Sequence, residues 1–396
     1  MTNTDNERFD HTVTTTCGYC GVGCRLEAHA DQGRIKTIAP ALDGPANEGH
    51  TCLKGRFAHQ FTRSRDRLTS PLIREGGSFR VASWDEALQR IVSELTRIKS
   101  EHGPDAIAGL ASSRATNEDC YAMQRMMRAA IGTNNIDNCS RVCHSPTSFA
   151  LRKSFGLSGA TGSFTDIDQA DVALLLGVNP TQGHPVVGAR IKQAALRGCK
   201  LITIDPRRIE LADYGVIHLS PRPGTNAAIV LGLSHVIRRD GLTDPEFIAQ
   251  RTEGYEAVEE LLEAYTPEAV REITGIPAGE LERAAHIYGE AQSGSLLWGL
   301  GVTEHKYGSE VVQLLCNLAL MTGKVGKPGS ALLPLRGQNN VQGSSDMGAL
   351  PTPTRRTARC PTRRPRPCLR RRGASRSAAT RATRSRRCST RRLPAI

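Results

Sequence analysis

The chain has 396 residues, a length that allows two or three domains with sizeable cores, and its formal net charge is +13. This charge does not indicate nucleic-acid binding, because sixteen arginines and no lysine or acidic residue lie in residues 351–396, so the first 350 residues are slightly acidic. A membrane span is not expected, since no run of about 18 apolar residues is present. The N-terminus carries neither an apolar signal core nor a twin-arginine pair, which favours the cytoplasm.

Strands and helices alternate in the predicted secondary structure. The first helix begins at Trp84 after the candidate N-cap Ser83, with Glu86 placed to complete a capping box, and apolar residues follow at helical spacing to Ile98. Further strands are predicted at 105–111, 172–176, 200–204, 216–219 and 296–298, and further helices at 117–131, about 185–197, within 225–292 and at about 307–322. The strand–helix–strand spacing between 170 and 220 predicts an α/β fold with a parallel sheet and crossover helices.

Four cysteines near the N-terminus form a candidate metal site. Cys17, Cys20 and Cys24 follow a C-x2-C-x3-C pattern, and Cys52 comes after 27 further residues. Four thiolates bind either zinc or an iron–sulfur cluster. Zinc ribbons usually pair two C-x2-C knuckles, and the second knuckle is missing here, so a 4Fe–4S cluster is favoured over zinc. Two glycines of this segment, at positions 21 and 23, are expected to let backbone amides approach the sulfur atoms.

The segments around these cysteines resemble the start of the molybdopterin oxidoreductases: residues 16–24 read TCGYCGVGC and residues 49–56 read GHTCLKGR. The resemblance implies a 4Fe–4S cluster near a molybdenum or tungsten atom that is held by two pterin guanine dinucleotides. It implies a multi-domain α/β architecture with an N-terminal iron–sulfur domain and a doubly wound dinucleotide-binding domain. It also implies that Lys54 lies between the cluster and a pterin and assists electron transfer, although a lysine at such a position could equally be a solvated surface residue.

Two further segments narrow the resemblance to the catalytic (alpha) subunits of formate dehydrogenases. Residues 140–147 read SRVCHSPT and residues 335–343 read LRGQNNVQG. The family places Cys or selenocysteine on the metal and His directly after it, so Cys143 is the implied Mo or W ligand. His144 is expected to titrate near neutrality and to accept a proton or to hydrogen-bond the substrate. Arg336 is the implied formate-binding residue, because its planar guanidinium matches a carboxylate.

Turns after the predicted strands indicate a dinucleotide-binding site. Gly177 and Asn179 close a strand-to-helix turn, where a helix N-terminus can meet a pyrophosphate. Asp205 ends the next strand, near the usual place of a ribose-binding acid, and the resemblance implies that it contacts the guanosine with Arg207 nearby. His184 is left open between a pterin contact and a structural role. The remaining expected cofactor-binding residues are Lys54, Gly224, Asn226, Gly301, Gly337 and Gln338.

The resemblance covers residues 14–350 and predicts the domain organisation. Residues 1–70 form the iron–sulfur domain, 71–138 the first part of a second pterin-binding region, 139–338 a Rossmann-like pterin guanine dinucleotide-binding domain, and 339–351 a return to the second region. Residues 352–396, rich in Arg and Pro, are predicted to be a disordered tail that does not follow the family. The family is much longer, so a C-terminally truncated chain is expected, and a shifted reading frame would explain the composition of the tail.

The expected activity is oxidation of formate to CO2, with two electrons leaving through the cluster. The sequence contains no flavin or nicotinamide fold, so an electron-accepting partner subunit of iron–sulfur, flavin or ferredoxin type is expected, and nucleic acid is not. The truncated chain itself is expected to show little formate oxidation. Two alternatives stay open: a nitrate or other oxyanion reductase of the same superfamily, against which the Cys143–His144 pair and the Arg336 segment argue, and a non-catalytic truncated product.

Overall fold

A computed structural model describes residues 9–351, and the predicted tail at 352–396 lies outside the described residues. The chain begins with a three-stranded antiparallel sheet in the order β1-β2-β3. The strands are β1 (His11–Thr16), β2 (Arg25–Asp31) and β3 (Arg34–Pro40), followed by helix α1 (Leu53–Phe57) and a 3-10 turn at Ala58–Arg63. The loop between β1 and β2 holds three of the candidate cluster cysteines, and the fourth immediately precedes α1.

A hairpin of β4 (Leu72–Glu75) and β5 (Ser78–Val81) leads into helix α2 (Trp84–His102). The predicted N-cap is confirmed, because Ser83 Oγ accepts a hydrogen bond from the Glu86 amide at 3.2 Å. The capping box is incomplete, since the Glu86 carboxylate pairs with the Arg80 guanidinium instead. The apolar stripe of α2 is exposed over its first turns, and only its C-terminal part, at Leu95 and Ile98, packs against a core.

The next unit contains two short parallel strands and one helix. Strands β6 (Gly109–Ala111) and β7 (Ile136–Asn138) pair side by side, and helix α3 (Asn117–Arg125) continues into a π-helix at Met126–Ile131. The predicted strand at 105–111 is therefore shorter than expected, because a 3-10 turn occupies Pro104–Ala106. A methyl group at Gly109 would lie 2.9 Å from Met127 Sδ, so the absence of a side chain there lets the helix pack closely on the strand.

The largest part of the described chain is a five-stranded sheet in the order β10-β9-β8-β11-β12, with every neighbouring pair parallel. Its strands are β8 (Val172–Leu176), β9 (Lys200–Ile204), β10 (Ile217–Leu219), β11 (Gly294–Trp298) and β12 (Leu332–Pro334). The predicted parallel α/β sheet is confirmed. The fifth strand, β12, was not predicted from the sequence.

Helices cover both faces of this sheet, which makes it doubly wound. They are α4 (Ser145–Phe155), α5 (Thr165–Gln169), α6 (Pro180–Gly183), α7 (Pro185–Leu196), α8 (Asn226–Arg239), α9 (Pro245–Arg251), α10 (Tyr255–Leu262), α11 (Pro267–Thr274), α12 (Ala278–Gly289), α13 (Leu300–Thr303), α14 (Gly308–Met321) and α15 (Val341–Asp346). Among residues 9–351 no helix has both the length and the apolar character that a membrane crossing needs.

Alternate side chains of β8 enter two different cores, as expected for a strand buried on both faces. Leu174 and Leu176 join the core formed with α8, α12 and α14. Ala173 and Leu175 join the core that contains α7 and also the cluster-loop residue Val22. The cysteine-bearing loop is thus packed against one face of the central sheet, which places it close to the ends of the strands.

Candidate functional site

The strand order reverses between β8 and β11, and the turns after these two strands meet at the carboxyl edge of the sheet. The Gly301 amide donates a hydrogen bond to the Gly177 carbonyl oxygen at 3.0 Å. A methyl group on either glycine would lie 2.7 Å from backbone atoms of the other, and Gly177 has a φ of +58°. Both positions therefore require glycine, and the crevice at this reversal is where open α/β sheets bind ligands.

Other predicted cofactor-binding residues lie at the same edge. Asp205, buried directly after β9, accepts a hydrogen bond from the Arg207 amide at 2.9 Å, while the Arg207 guanidinium is exposed. Asn226 Nδ2 donates to the Gly301 carbonyl oxygen at 2.8 Å, which ties the start of α8 to the turn after β11. Asn179 begins α6, and its Oδ1 accepts from the Thr181 hydroxyl at 2.7 Å. Gly224 has a φ of +88° and open space around it.

The arginine loop (residues 335–337), which follows β12, connects several candidate site residues through its backbone. The Leu335 carbonyl oxygen accepts a hydrogen bond from His144 Nε2 at 3.1 Å, and the Arg336 carbonyl oxygen accepts one from His184 Nε2 at 2.7 Å. The Gly337 amide faces the Cys143 sulfur and lowers the pKa of that thiol. The arginine loop thus contacts the Cys143–His144 pair, although Arg336 lies almost 200 positions further along the sequence.

Cys143 and Arg336 form the charged centre of this arrangement. Burial raises the pKa of the Cys143 thiol, the Gly337 amide opposes that effect, Glu304 adds to it, and Arg336 opposes it. The partly buried Arg336 guanidinium donates a hydrogen bond to the Ser158 carbonyl oxygen at 2.7 Å through Nη2. Arginine stays protonated even when buried, so a cation is held beside the thiol, and it favours an anionic ligand there.

His144 differs from what the sequence predicts. The imidazole is fully buried, with Nδ1 3.0 Å from Thr147 Oγ1 and Nε2 on the Leu335 carbonyl oxygen. Burial and the nearby Arg336 charge lower the pKa of His144 to about 3. The expectation that it titrates near neutrality is therefore wrong, because both ring nitrogens are engaged and a positive charge is disfavoured.

The four N-terminal cysteines surround one pocket, which is also lined by Gly55 of α1. Burial, together with the neighbouring thiols, raises the pKa of Cys17, Cys20 and Cys24, and that of Cys24 reaches about 12. Unliganded thiols would stay protonated here, whereas a bound metal group deprotonates its thiol ligands. No three His, Cys, Asp or Glu side chains of residues 9–351 are arranged to bind one metal ion. A cubane does not need such an arrangement, because it binds one thiolate at each of four separate iron atoms, and the shared pocket of the four cysteines fits this group.

The cluster loop (residues 17–24) contacts the arginine loop directly. The Gly21 amide donates to the Gly337 carbonyl oxygen at 3.2 Å, and a methyl group at Gly21 would lie 2.2 Å from the Arg336 carbonyl oxygen. Gly21 therefore allows this close approach of the two loops, and the amides of Tyr19, Cys20 and Val22 lower the pKa of the Cys17 and Cys20 thiols. Lys54 Nζ donates to the Gln182 carbonyl oxygen at 2.7 Å, so it joins the segment after Cys52 to α6.

Several buried polar atoms around these loops have no hydrogen-bond partner within the described part of the chain. They are His184 Nδ1, Thr303 Oγ1, Gln338 Oε1 and Asn339 Oδ1. A buried polar atom without a partner costs about 1–3 kcal/mol, so such atoms are usually matched by water or by a ligand. Together with the glycine turns and the four thiols, these atoms fit a polar cofactor that lies between the sheet edge and the arginine loop.

Comparison with known proteins identifies the family that has this combination of sheet-edge turns and a four-cysteine pocket. The family model described as Molybdopterin oxidoreductase matches residues 67–385, and that of the Molybdopterin oxidoreductase Fe4S4 domain matches residues 10–64. The chain belongs to the molybdopterin oxidoreductase family. As a member it uses a pterin-bound molybdenum or tungsten centre and a 4Fe–4S cluster. The first match runs on to residue 385, so it includes part of the segment that the sequence predicts to lie outside the family, and that prediction stays untested.

Several relatives within the family are named as formate dehydrogenases. Formate dehydrogenase H of Escherichia coli is 43% identical over 86% of this chain and 48% of its own length. The F420-dependent formate dehydrogenase 2 subunit alpha of Methanococcus maripaludis is 42% identical over 86% of this chain and 50% of its own length. A solved structure, acetylene hydratase from Pelobacter acetylenicus, has 28% identity and a TM-score of 0.72 over 81% of this chain and 44% of its own. The chain spans about half the length of the relatives it matches.

Three residues of the site make contacts that the sequence did not predict. His184 was left open, and its bond to the Arg336 carbonyl oxygen depends on two loops 152 residues apart. Thr147 and Trp298 meet through a hydrogen bond from the indole N–H to the hydroxyl at 2.9 Å, across 151 residues. Only the proximity of Thr147 to the Cys143–His144 pair could have drawn attention to it.

Proposed function

We propose that the chain is part of a formate dehydrogenase catalytic subunit, in which Cys143 binds the metal and Arg336 binds formate. The observation that carries the proposal is the arginine loop, whose backbone accepts from His144 while its partly buried side chain supplies a cation beside Cys143. The names of the relatives support formate as the substrate. The predicted pterin contacts and the domain boundaries at about residues 70, 138 and 338 belong to the same proposal.

The residues divide the work by their chemistry. When bound, the pterin-held metal supplies a centre that takes up two electrons, which no side chain can do. Arg336 offers two parallel N–H donors to the formate carboxylate and fixes its orientation beside the Cys143 sulfur. Cys143 is buried and Arg336 is partly buried, so the guanidinium is shielded from part of the solvent, and this strengthens its attraction for an anion. His144, with both nitrogens bonded, holds the loop rather than serving as a free base.

Electron exit follows from the contact between the two loops. The cluster loop touches the arginine loop through Gly21, and Lys54 links the segment after Cys52 to α6. We propose that this contact, with Lys54 beside it, would lie between the bound metal centre and the bound cluster, which would supply the electron-transfer chemistry. A partner subunit of iron–sulfur, flavin or ferredoxin type would then receive the electrons.

The experiment is anaerobic expression of the full chain, followed by measurement of molybdenum or tungsten, iron and pterin, and by dye assays with formate and with nitrate. Because the chain spans about half the length of its relatives, formate-dependent dye reduction is expected to be slow but above that of a Cys143→Ala variant. Nitrate-dependent dye oxidation without formate activity would favour the oxyanion reductase. A chain that holds iron but neither pterin nor metal would favour the non-catalytic product.

A further inference from the structure

Four buried residues form a continuous hydrogen-bonded chain behind the candidate active site. The indole Nε1 of Trp298 donates to Thr147 Oγ1 at 2.9 Å, Thr147 Oγ1 lies 3.0 Å from His144 Nδ1, and His144 Nε2 donates to the Leu335 carbonyl oxygen at 3.1 Å. Trp298, Thr147 and His144 are fully buried, and Leu335 is nearly so. These hydrogen bonds join the last residue of β11, the first turn of α4 and the residue that follows β12.

The chemistry of the two ends determines the proton positions between them. An indole N–H can only donate and a carbonyl oxygen can only accept. His144 Nε2 must therefore carry the hydrogen that bonds the Leu335 carbonyl oxygen. Thr147 Oγ1 already accepts from the indole, so its own hydroxyl hydrogen needs an acceptor, and His144 Nδ1 at 3.0 Å supplies it. Thr147 then accepts from Trp298 and donates its hydroxyl hydrogen to Nδ1. One tautomer of His144 satisfies every group, and the other would leave two acceptors facing each other.

We propose that Trp298 and Thr147 are positioning residues that hold His144 in the Nε2–H tautomer, and that His144 in turn sets the backbone from which Arg336 extends. Trp298 contributes twice, because its carbonyl oxygen also accepts the Leu335 amide at 2.9 Å. The same strand end leads into the Gly299–Gly301 turn, so the cofactor turn and the arginine loop share one anchor. The functional arm of this proposal rests on the proposed formate dehydrogenase activity.

A purely structural reading is that the hydroxyl of Thr147 only satisfies a buried indole. The two readings differ in which variants disturb Arg336. Thr147→Val keeps the size of the side chain but removes the hydroxyl, and Thr147→Ser keeps the hydroxyl. Thr274→Val is the matched control, since Thr274 of α11 is also fully buried. Its hydroxyl donates to the Val270 carbonyl oxygen at 2.7 Å and accepts from the Ile276 amide at 3.1 Å, and neither bond involves the arginine loop.

The first arm is NMR of the full chain labelled with nitrogen-15, without activity as a readout. His144 is assigned by loss of its signals in His144→Gln, and the Arg336 Nε–H signal by its loss in Arg336→Lys. The expected result is an Nε2–H tautomer in the wild type, a shift of the His144 Nδ1 and Arg336 signals in Thr147→Val, and wild-type signals in Thr147→Ser and Thr274→Val. A wild-type His144 protonated at Nδ1, or an Arg336 signal unchanged in Thr147→Val, would overturn the proposal.

The second arm uses the metal-loaded chain and measures how fast formate bleaches the cluster absorption. Thr147→Val is expected to raise the half-saturating formate concentration about fivefold, the equivalent of one hydrogen bond, with Thr147→Ser restoring the wild-type value. An equal rise in Thr274→Val would overturn the positioning role, because general loss of stability would then explain it. If wild-type chain shows no response to formate, the proposed function fails, while the first arm still decides the tautomer and the Arg336 contact.

Discussion

The Gly21 amide of the cluster loop donates a hydrogen bond to the Gly337 carbonyl oxygen of the arginine loop at 3.2 Å. This contact brings the cluster pocket and the candidate substrate site within one backbone contact of each other. It also explains why glycine stands at position 21, since a methyl group there would lie 2.2 Å from the Arg336 carbonyl oxygen.

Gly21→Ala is expected to push these two loops apart. The added methyl group meets backbone rather than a flexible side chain, so the free energy of unfolding should fall by about 1–3 kcal/mol, as in other overpacked sites. Gly18→Ala is the control, because nothing lies within 4 Å of a methyl group there. Urea unfolding of both variants tests this, and equal stability of the two would contradict the contact.

The second prediction concerns the crevice between β8 and β11. Gly301→Ala places a methyl group 2.7 Å from the Gly177 carbonyl oxygen, whereas Gly183→Ala in α6 meets open space. The first substitution should destabilise the chain by about 1–3 kcal/mol, and the second should leave its stability unchanged or raise it by about 0.5 kcal/mol. Thermal unfolding checks both, and a Gly301→Ala chain as stable as the wild type would show that the two turns do not meet.

Iron content tests the cysteine site. The reconstituted chain is expected to hold about four iron atoms, and Cys24→Ala should lose most of them. Cys199→Ala should retain them, because Cys199 is buried beside the sheet and does not line the cluster pocket. Iron and sulfide analysis gives the answer. One zinc and no iron in the wild type would instead support the zinc alternative.

Arg336→Lys should raise the half-saturating formate concentration about tenfold or more in the cluster-bleaching measurement. An ammonium group cannot form the two parallel hydrogen bonds of a guanidinium, and bonds to charged groups contribute about 1.5–3 kcal/mol each. The exposed Arg271, paired with Glu272 on α11, supplies the control Arg271→Lys, which should behave as the wild type. An unchanged formate dependence in Arg336→Lys would remove this residue from substrate binding.

The buried Lys324 allows a prediction of how the free energy of unfolding depends on pH. It is buried, its Nζ donates to the Gly289 carbonyl oxygen at 3.2 Å, and burial lowers its pKa to about 8 from 10.5. Between these two values the unfolded chain binds the proton and the folded chain does not, so stability should rise with pH across that range. Urea unfolding at pH 7 and at about pH 9.5 should show a larger gain for the wild type than for Lys324→Met. Equal gains would show that the lysine keeps an ordinary pKa.

Local signals in the sequence predicted much of the fold but little of the site geometry. The strand–helix–strand spacing that includes Val172–Leu176 and Lys200–Ile204 indicated parallel strands. The N-cap Ser83 could also be predicted, because its hydrogen bond is local. The arginine loop was identified only by its resemblance to a family. Its bonds to His144 and His184 cross more than 150 residues, and no local pattern encodes such contacts.

The state of His144 shows the same limit in chemical terms. Its residue type predicts a pKa near neutrality, but the actual value depends on burial and on Arg336, which comes from the other end of the chain. The apolar stripe of α2 gives the opposite case. Its spacing correctly predicted a helix, whereas the sequence could not show that Trp84 and Leu88 stay exposed in the described residues.

The most direct test of the account is electron paramagnetic resonance of the full chain loaded with metal and pterin, before and after addition of formate. Formate is expected to reduce the 4Fe–4S cluster of the wild type within a single turnover, and to leave the cluster of Cys143→Ala oxidised. Dithionite should reduce both. A wild-type cluster that dithionite reduces but formate does not would contradict the claim that formate is oxidised beside Cys143 and Arg336 and that its electrons reach the cluster.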